Sequence, residues 1–227
     1  MNALLLAAVL GAGPVSAAGA SSPAVVAAKL AKNLPSGSLI VSKGDCLAVR
    51  VYTLSPYTHV AAVVVTDGKP FVYDSMNGFG VRRQSLADYL KLQDPVVVHV
   101  FRPRKKFSKK RTVALRTYLD KQLGRPYAVK HHLTGKRGKA LHCSEYVTEG
   151  LLACNILSAN NPARVSPASL VEGILKAKSY SSAETVQLKS PAPVKPTADG
   201  WCEQLWIDTK FCTINSCRKM RGWFLCQ

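Results

Sequence analysis

Thr58–Ser75, THVAAVVVTDGKPFVYDS, sets the architecture of this chain. Thr58–Thr66 is a β-branched run without Lys, Arg, Asp or Glu, the pattern of a strand buried on both faces. Asp67-Gly68 is a hairpin turn signal, and Pro70–Ser75 is the returning strand. Upstream, Ser36-Gly37-Ser38 turns into a strand at Leu39–Ser42, while Cys46–Leu54 fits helix or strand equally by period. Downstream, Val81-Arg82 is short and extended, Ser85 caps a helix over Leu86–Leu92, and Pro95–Phe101 is another buried strand. Strands give way to helices after that. Ser108 caps a helix running to Leu123, with Val113, Leu115, Leu119 and Leu123 as its apolar stripe, and Gly124 ends it. A Gly- and Lys-rich loop, Gly135–Lys139, precedes a helix over roughly 143–154, and Ser166-Pro167 opens a third to about Lys176. The class is α+β, with a core domain at 34–185, a Pro/Ala-rich linker at 186–200 and a Cys/Trp-rich basic tail at 201–227.

Composition supports a folded, exported protein. Hydrophobic residues make up 47% of the 227 and charged residues 19%, which excludes a fully disordered chain. Beyond the N-terminus no stretch reaches the roughly 18 uncharged apolar residues of a membrane span. Residues 1–20 read as a secretory signal peptide: an apolar run at Leu4–Leu10, then Gly11, Gly13 and Pro14, then the small-residue triplets Val15-Ser16-Ala17 and Ala18-Gly19-Ala20. Ser21–Asn33 reads as a short helix or a loose leader. A periplasmic or secreted location follows from this leader. Four of the seven cysteines (Cys202, Cys212, Cys217 and Cys226) fall in the last 26 residues, the density of a small disulfide-stapled module. Their spacing lacks the paired hooks of a zinc site and no His lies nearby, so neither a metal nor a cofactor is expected. The pairing within the tail is open.

Cys143 is the first residue to consider for chemistry. It sits after a loop at the start of a helix, ALHCSEYVTEGLL, where free N–H groups and the helix dipole favour a thiolate. A nucleophilic thiol needs an imidazole in reach and a third group to orient it. His59 opens the buried strand, and Asp74 lies on the partner strand of the same hairpin, where a carboxylate–imidazole contact is feasible. Read from the residues alone, Cys143 also fits a small buried core residue, His59 a satisfied strand-end histidine and Asp74 an ordinary carboxylate near a turn. His131-His132 reads as a surface or substrate-binding pair in a polar loop, and His99, between valines, as buried or at a strand edge.

The order of segments resembles the permuted papain-like amidases, the circularly permuted branch of the NlpC-type cysteine peptidase superfamily. Ser55-Pro56-Tyr57-Thr58-His59-Val60 resembles the family's "S-x-Y-S/T-H-V-G", and Val72-Tyr73-Asp74-Ser75 its "V-x-E-A". Gly124-Arg125-Pro126-Tyr127 resembles "G-K-P-Y-D", His142-Cys143-Ser144-Glu145-Tyr146-Val147 resembles "Y-C-S-E-L-V", and Ser166-Pro167-Ala168-Ser169-Leu170 the downstream "P-x-x-L". The resemblance covers roughly residues 36–172. It implies a circularly permuted papain-like fold, an antiparallel sheet packed against helices. It further implies Cys143 as nucleophile, His59 as base and Asp74 as orienting group, with Tyr57, Tyr127 and His142 lining the substrate site. Three positions depart from the family pattern: Ala61 replaces a Gly, Ala128 an acid and His142 a Tyr. With Cys143 kept free and four cysteines in the tail, a Cys46–Cys154 disulfide or two buried thiols both balance the count.

The implied activity is cleavage of an amide, in a peptidoglycan stem peptide or a related peptide, through a thioester acyl-enzyme. The same triad also serves lipid acyltransfer, lipase or thioesterase chemistry, and a catalytically silent basic surface-binding module is a third reading. A net charge of +18 draws the chain to polyanions. Anionic cell-wall polymer or peptide is the expected partner and anionic lipid the second. Nucleic acid is not expected, since no aromatic-interleaved basic module is visible. The chain is read as a monomer.

Overall fold

A computed structural model describes residues 22–43, 47–53, 55–93, 97–188 and 195–225. The proposed signal peptide therefore lies outside the described residues. In chain order the elements are α1 (Pro23–Ala31), β1 (Leu39–Lys43), α2 (Leu47–Thr53), β2 (His59–Thr66), β3 (Lys69–Met76), β4 (Gly80–Ser85), α3 (Leu86–Leu92) and β5 (Val97–Phe101). The helical part follows with α4 (Lys109–Lys121), α5 (Lys130–Thr134), α6 (Cys143–Ala153), a 3₁₀ turn at Pro162–Arg164 and α7 (Pro167–Lys176). The strand β6 (Glu184–Gln187) and the helix α8 (Trp201–Leu225) complete the chain.

The hairpin forms as its sequence dictates. Asp67 and Gly68 both take positive φ (50° and 73°), the two-residue turn whose twist matches its flanking strands. It seeds a six-stranded sheet in the order β4-β3-β2-β1-β5-β6, with every pairing antiparallel.

Both faces of this sheet are covered, which explains why β2 reads as a continuous apolar run. Val60, Ala62 and Val64 join Leu39, Val41 and Tyr73 against Leu115 and Leu119 of α4, Tyr146, Val147 and Leu151 of α6 and Ile174 of α7. Ala61 and Val63 join Ile40, Val72, Val98 and Val100 against Val26 and Leu30 of α1 and Leu86, Tyr89 and Leu90 of α3. The chain thus builds three layers, with α4, α6 and α7 on one side and α1 and α3 on the other. Within the stretch read as helix or leader, α1 forms and supplies, with α3, the second helical layer.

Several expectations are corrected. Cys46–Leu54, ambiguous by period, contains a helix, α2; Cys46 itself lies outside the described residues. Residues 186–200 do not begin as linker, because β6 pairs with β5 through Val97↔Gln187 and Val98↔Val186 and Leu188 is buried. The tail is not a disulfide-stapled module among the described residues: it is the helix α8, and Cys202, Cys212 and Cys217 are free and exposed. At 1.5 Å of rise per residue, Cys202 and Cys212 stand about 15 Å apart along one axis, far beyond disulfide reach. Cys226 lies outside the described residues. Cys154 is a free, buried thiol that donates to the Leu151 carbonyl. No described helix is long and apolar enough to cross a membrane.

Gly80 carries a constraint that fixes the helical side to the sheet. It has φ +72°, and a Cβ there would meet the Arg125 carbonyl oxygen at 2.5 Å. That carbonyl accepts from the Val81 N–H, and the Val81 carbonyl accepts from the Gly124 N–H. The Gly124-Arg125-Pro126-Tyr127 segment is thereby docked on β4. Replacing Gly80 by Ala adds both left-handed strain and a backbone collision. We expect Gly80→Ala to cost about 2–4 kcal/mol of stability, read as a lowered urea midpoint at unchanged slope.

Candidate functional site

The site begins as a row of side chains across three strands. The register of β2 with β3 (Ala62↔Tyr73) continues to set Ala61 opposite Asp74, so His59 is the diagonal neighbour of Asp74 on the same face. Arg82 of β4 lies directly opposite Asp74, and Gln84 is the next residue on that face. The side chains use these positions. His59 Nε2 donates to Asp74 Oδ2 at 3.2 Å. Arg82 donates from Nε to Oδ1 at 2.9 Å and from Nη2 to Oδ2 at 3.2 Å, and Gln84 Nε2 donates to Oδ1 at 3.3 Å. Asp74 has no solvent exposure, and four donor contacts satisfy its two oxygens. The Tyr89 ring of α3 stacks on His59 with centroids 6.2 Å apart, fixing the imidazole from the other side.

The helix layer brings the thiol to this row. Leu141 is held from two sides, its N–H donating to the Pro126 carbonyl at 2.9 Å and its carbonyl accepting from Ser75 Oγ at 2.7 Å. His142 then caps α6, its Nδ1 accepting from the Glu145 N–H while Nε2 donates to the Ala163 carbonyl at 2.8 Å. Cys143 is the first residue of the helix, 6% exposed, within hydrogen-bonding reach of His59. His59 Nε2 is taken by Asp74, which leaves Nδ1 for the thiol.

Electrostatics make this an ion pair. Burial alone would push the Cys143 thiol up, but the charge of His59, the neighbouring His142 side chain and the hydrogen bond from His59 outweigh it and bring the thiol down to about 5. Burial alone would lower His59, but the Cys143 thiolate and the Asp74 carboxylate raise it to about 10. Burial likewise opposes ionisation of Asp74, yet hydrogen bonds from His59 and Arg82 hold it below the usual carboxylate range. Asp74 is therefore an orienting anion. Between about 5 and about 10 the resting pair is thiolate and imidazolium.

The flanking residues are distributed unevenly. Tyr127 is half-buried beside Cys143 and forms an isolated bridge with Leu141; burial and the nearby thiolate push its phenol well above the usual range. Tyr57 packs against the core that includes Cys143, edge-on to His99 at 5.6 Å, with Lys43 Nζ 5.6 Å from its ring centre. His142, expected to line the substrate site, is buried, and both its nitrogens are used by the fold. His131 is not in a surface loop: it is buried in α5, with Nδ1 3.3 Å from the equally buried Glu145 Oε2. His99 is buried and bonded to Thr185 Oγ1 at 3.0 Å.

Sequence reasoning missed Arg82, Gln84, Tyr89 and Glu145. An Asn77-Gly78 turn signal lies between Asp74 and Arg82, but a two-residue turn there would set Val81 opposite Asp74; the turn that forms has three residues, pairs Met76 with Gly80 and so sets Arg82 opposite Asp74. Glu145 and Tyr89 carry no such signal, since their partners are distant in the chain. Among the described residues no group of three or more His, Cys, Asp or Glu is arranged to hold a metal ion.

No family model matches the chain, and no curated protein does. Among solved structures it is similar to the metalloprotein yiiX from Escherichia coli O157:H7, described as DUF1105. The TM-score is 0.51 at 18% identity, over 70% of this chain and 99% of that one. The likeness is one of fold.

The ion pair has a direct signature. Alkylation of Cys143 by iodoacetamide is expected to rise with a midpoint near pH 5 and to stay level through pH 9, where an ordinary thiol would still be climbing. The stability that Cys143 contributes is lost as pH falls through about 5, and that of His59 as pH rises through about 10. Arg82→Leu leaves Asp74 buried with part of its charge unmatched, and should cost about 3 kcal/mol in urea unfolding at pH 7.

Proposed function

We propose that this chain is an exported thiol hydrolase of the permuted papain-like type, cleaving an amide in a peptidoglycan stem peptide or a related peptide. The observation that carries the reading is the Cys143 thiol on the first turn of α6, beside an imidazole whose far nitrogen is held by a buried carboxylate. The fold likeness to a protein with nearly all of its length aligned is compatible with it. The sequence resemblance supplies the reaction class.

The chemistry follows from the resting ion pair. The Cys143 thiolate attacks the amide carbonyl carbon, forming a C–S bond and moving the carbonyl electrons to oxygen. The N–H of Cys143, at the start of the helix, is one donor suited to that oxyanion. Collapse breaks the C–N bond, and the His59 imidazolium gives its Nδ1 proton to the departing amine. Water then attacks the thioester while His59 takes its proton. The C–S bond breaks, and thiolate and imidazolium are restored. Asp74 keeps its negative charge throughout and holds the ring, itself kept in place by Arg82 and Gln84.

Charge supports an anionic target. Lys130, Lys136 and Lys139 are exposed on the segment leading into Leu141 and Cys143, and Lys105, Lys106, Lys109, Lys110 and Arg111 form a second exposed group. Arg102 and Arg104 of the same cluster are committed to the fold, through Glu184 and through the Tyr180 carbonyl.

Digestion of purified peptidoglycan, followed by mass analysis of released peptides, tests the reading. New carboxyl and amino ends are expected with the wild type, none with Cys143→Ala, and a rate lower by about 10²–10⁴ with His59→Ala. A Cys143 that resists alkylation would overturn the thiol hydrolase. A reactive Cys143 that leaves peptidoglycan intact but releases acyl groups from lipid would move the substrate to the lipid class.

A further inference from the structure

A cavity of about 620 Å³ lies away from the thiol, between the C-terminal part of α6, the segment that follows it and α7. Neither Cys143, His59 nor Asp74 lines it. The nearest lining residue on α6 is Thr148, five residues on from Cys143, which is about 140° around the helix axis and so on its other flank.

Its walls define a ligand chemistry. Ile156, Leu157, Val165 and Leu170 make the surface predominantly apolar, and Lys176 stands exposed at the rim. No ion pair among those of the described residues engages Lys176. Thr148 is 1% exposed, and its Oγ1 has no hydrogen-bond partner. A buried hydroxyl left unpaired costs free energy that a bound acceptor would recover, so this group points to an occupant. The volume falls within the range of small-molecule sites.

We propose that this cavity is a binding site, separate from the thiol centre, for an acylated anion: an acyl chain joined through an ester or amide carbonyl to an anionic head. The chain packs on Ile156, Leu157, Val165 and Leu170, the carbonyl accepts from Thr148 Oγ1, and the head pairs with Lys176. Lysophospholipids and N-acyl amino acids share this chemistry. The site goes beyond the hydrolase reading and stands without it.

The test uses the full mature chain and calorimetric titration with lysophosphatidylglycerol, N-lauroylglycine and, as a charge control, dodecyltrimethylammonium. Gly173 of α7 lines the cavity, and a Cβ there meets nothing within 4 Å, so Gly173→Leu fills the site without a collision at Cβ. Both anionic amphiphiles are expected to bind, and the cation to bind at least about tenfold more weakly. Gly173→Leu should abolish binding, while Thr148→Val and Lys176→Glu each weaken it by about tenfold or more. Binding of only one anion would assign the head group as phosphate or carboxylate. The alkylation rate of Cys143 should not change in any variant, which separates this site from the thiol centre. The proposal is overturned if neither anion binds at about 1 mM. Equal binding of the cation, or anion binding untouched by Gly173→Leu, would overturn it as well.

Discussion

A carboxylate without solvent exposure has to be matched, and the arrangement of this protein depends on how Asp74 is matched. Its two oxygens take bonds from three side chains on two neighbouring strands. Each bond compensates part of the cost of burying the charge. The same bonds fix the register of β4 against β3, aim the His59 ring and set the sign of the potential that the thiol meets. One buried anion therefore links the geometry of the sheet to the reactivity of a helix-borne sulfur. Arg82 is central to this, because without it the imidazolium would be the sole cation close to Asp74.

Burial of both partners gives the thiol–imidazole pair its character. In water a thiol and an imidazole near neutral pH are mostly uncharged. Here desolvation opposes each charge separately, yet the two charges stabilise one another at short range and exceed that penalty. Neither residue can be understood alone. The cap donated to α6 by His142 adds to the effect, since it fixes the first turn and puts a second imidazole beside the sulfur. A residue that looked like a substrate contact in the sequence is thus part of the support under the Cys143 thiol.

The hairpin and the helices that pack on it were legible in the sequence because their signals are local: a two-residue turn, a β-branched run, a capping serine before an apolar stripe, although of the stripe read on α4 only Leu115 and Leu119 are buried while Val113 and Leu123 are exposed. Ser85, Ser108 and Ser166 do cap their helices through side-chain bonds to the backbone. His59, Asp74 and Cys143 were legible as separate residues; the hairpin made the His59–Asp74 contact feasible, and the choice of Cys143 as their partner rested on a resemblance. Arg82 and Gln84 were not, since a cation in a strand names no partner until the register is known. β6 was missed because Glu184–Gln187 is short, apolar only at Val186 and paired to a strand more than eighty residues earlier. The helix α8 was missed for another reason. Its large apolar side chains, Trp201, Leu205, Trp206 and Ile214, are exposed and spread around the axis, so no helical stripe could show.

The pairing of β5 with β6 has a topological consequence. Everything between them, residues 102–183, is a single excursion of the chain whose two ends lie side by side, one strand spacing or about 5 Å apart. That excursion carries α4, α5, α6 and α7, and with them the sulfur; the imidazole, the carboxylate and the guanidinium belong to the sheet outside it. The site is consequently split between two stretches of chain that meet across one shared core. The bonds of His59, Asp74 and Arg82 lie wholly within the sheet, whereas the low titration of the sulfur depends on its being held against them. Reactivity is therefore a property of the seam between sheet and excursion, and it exists only while that seam is closed.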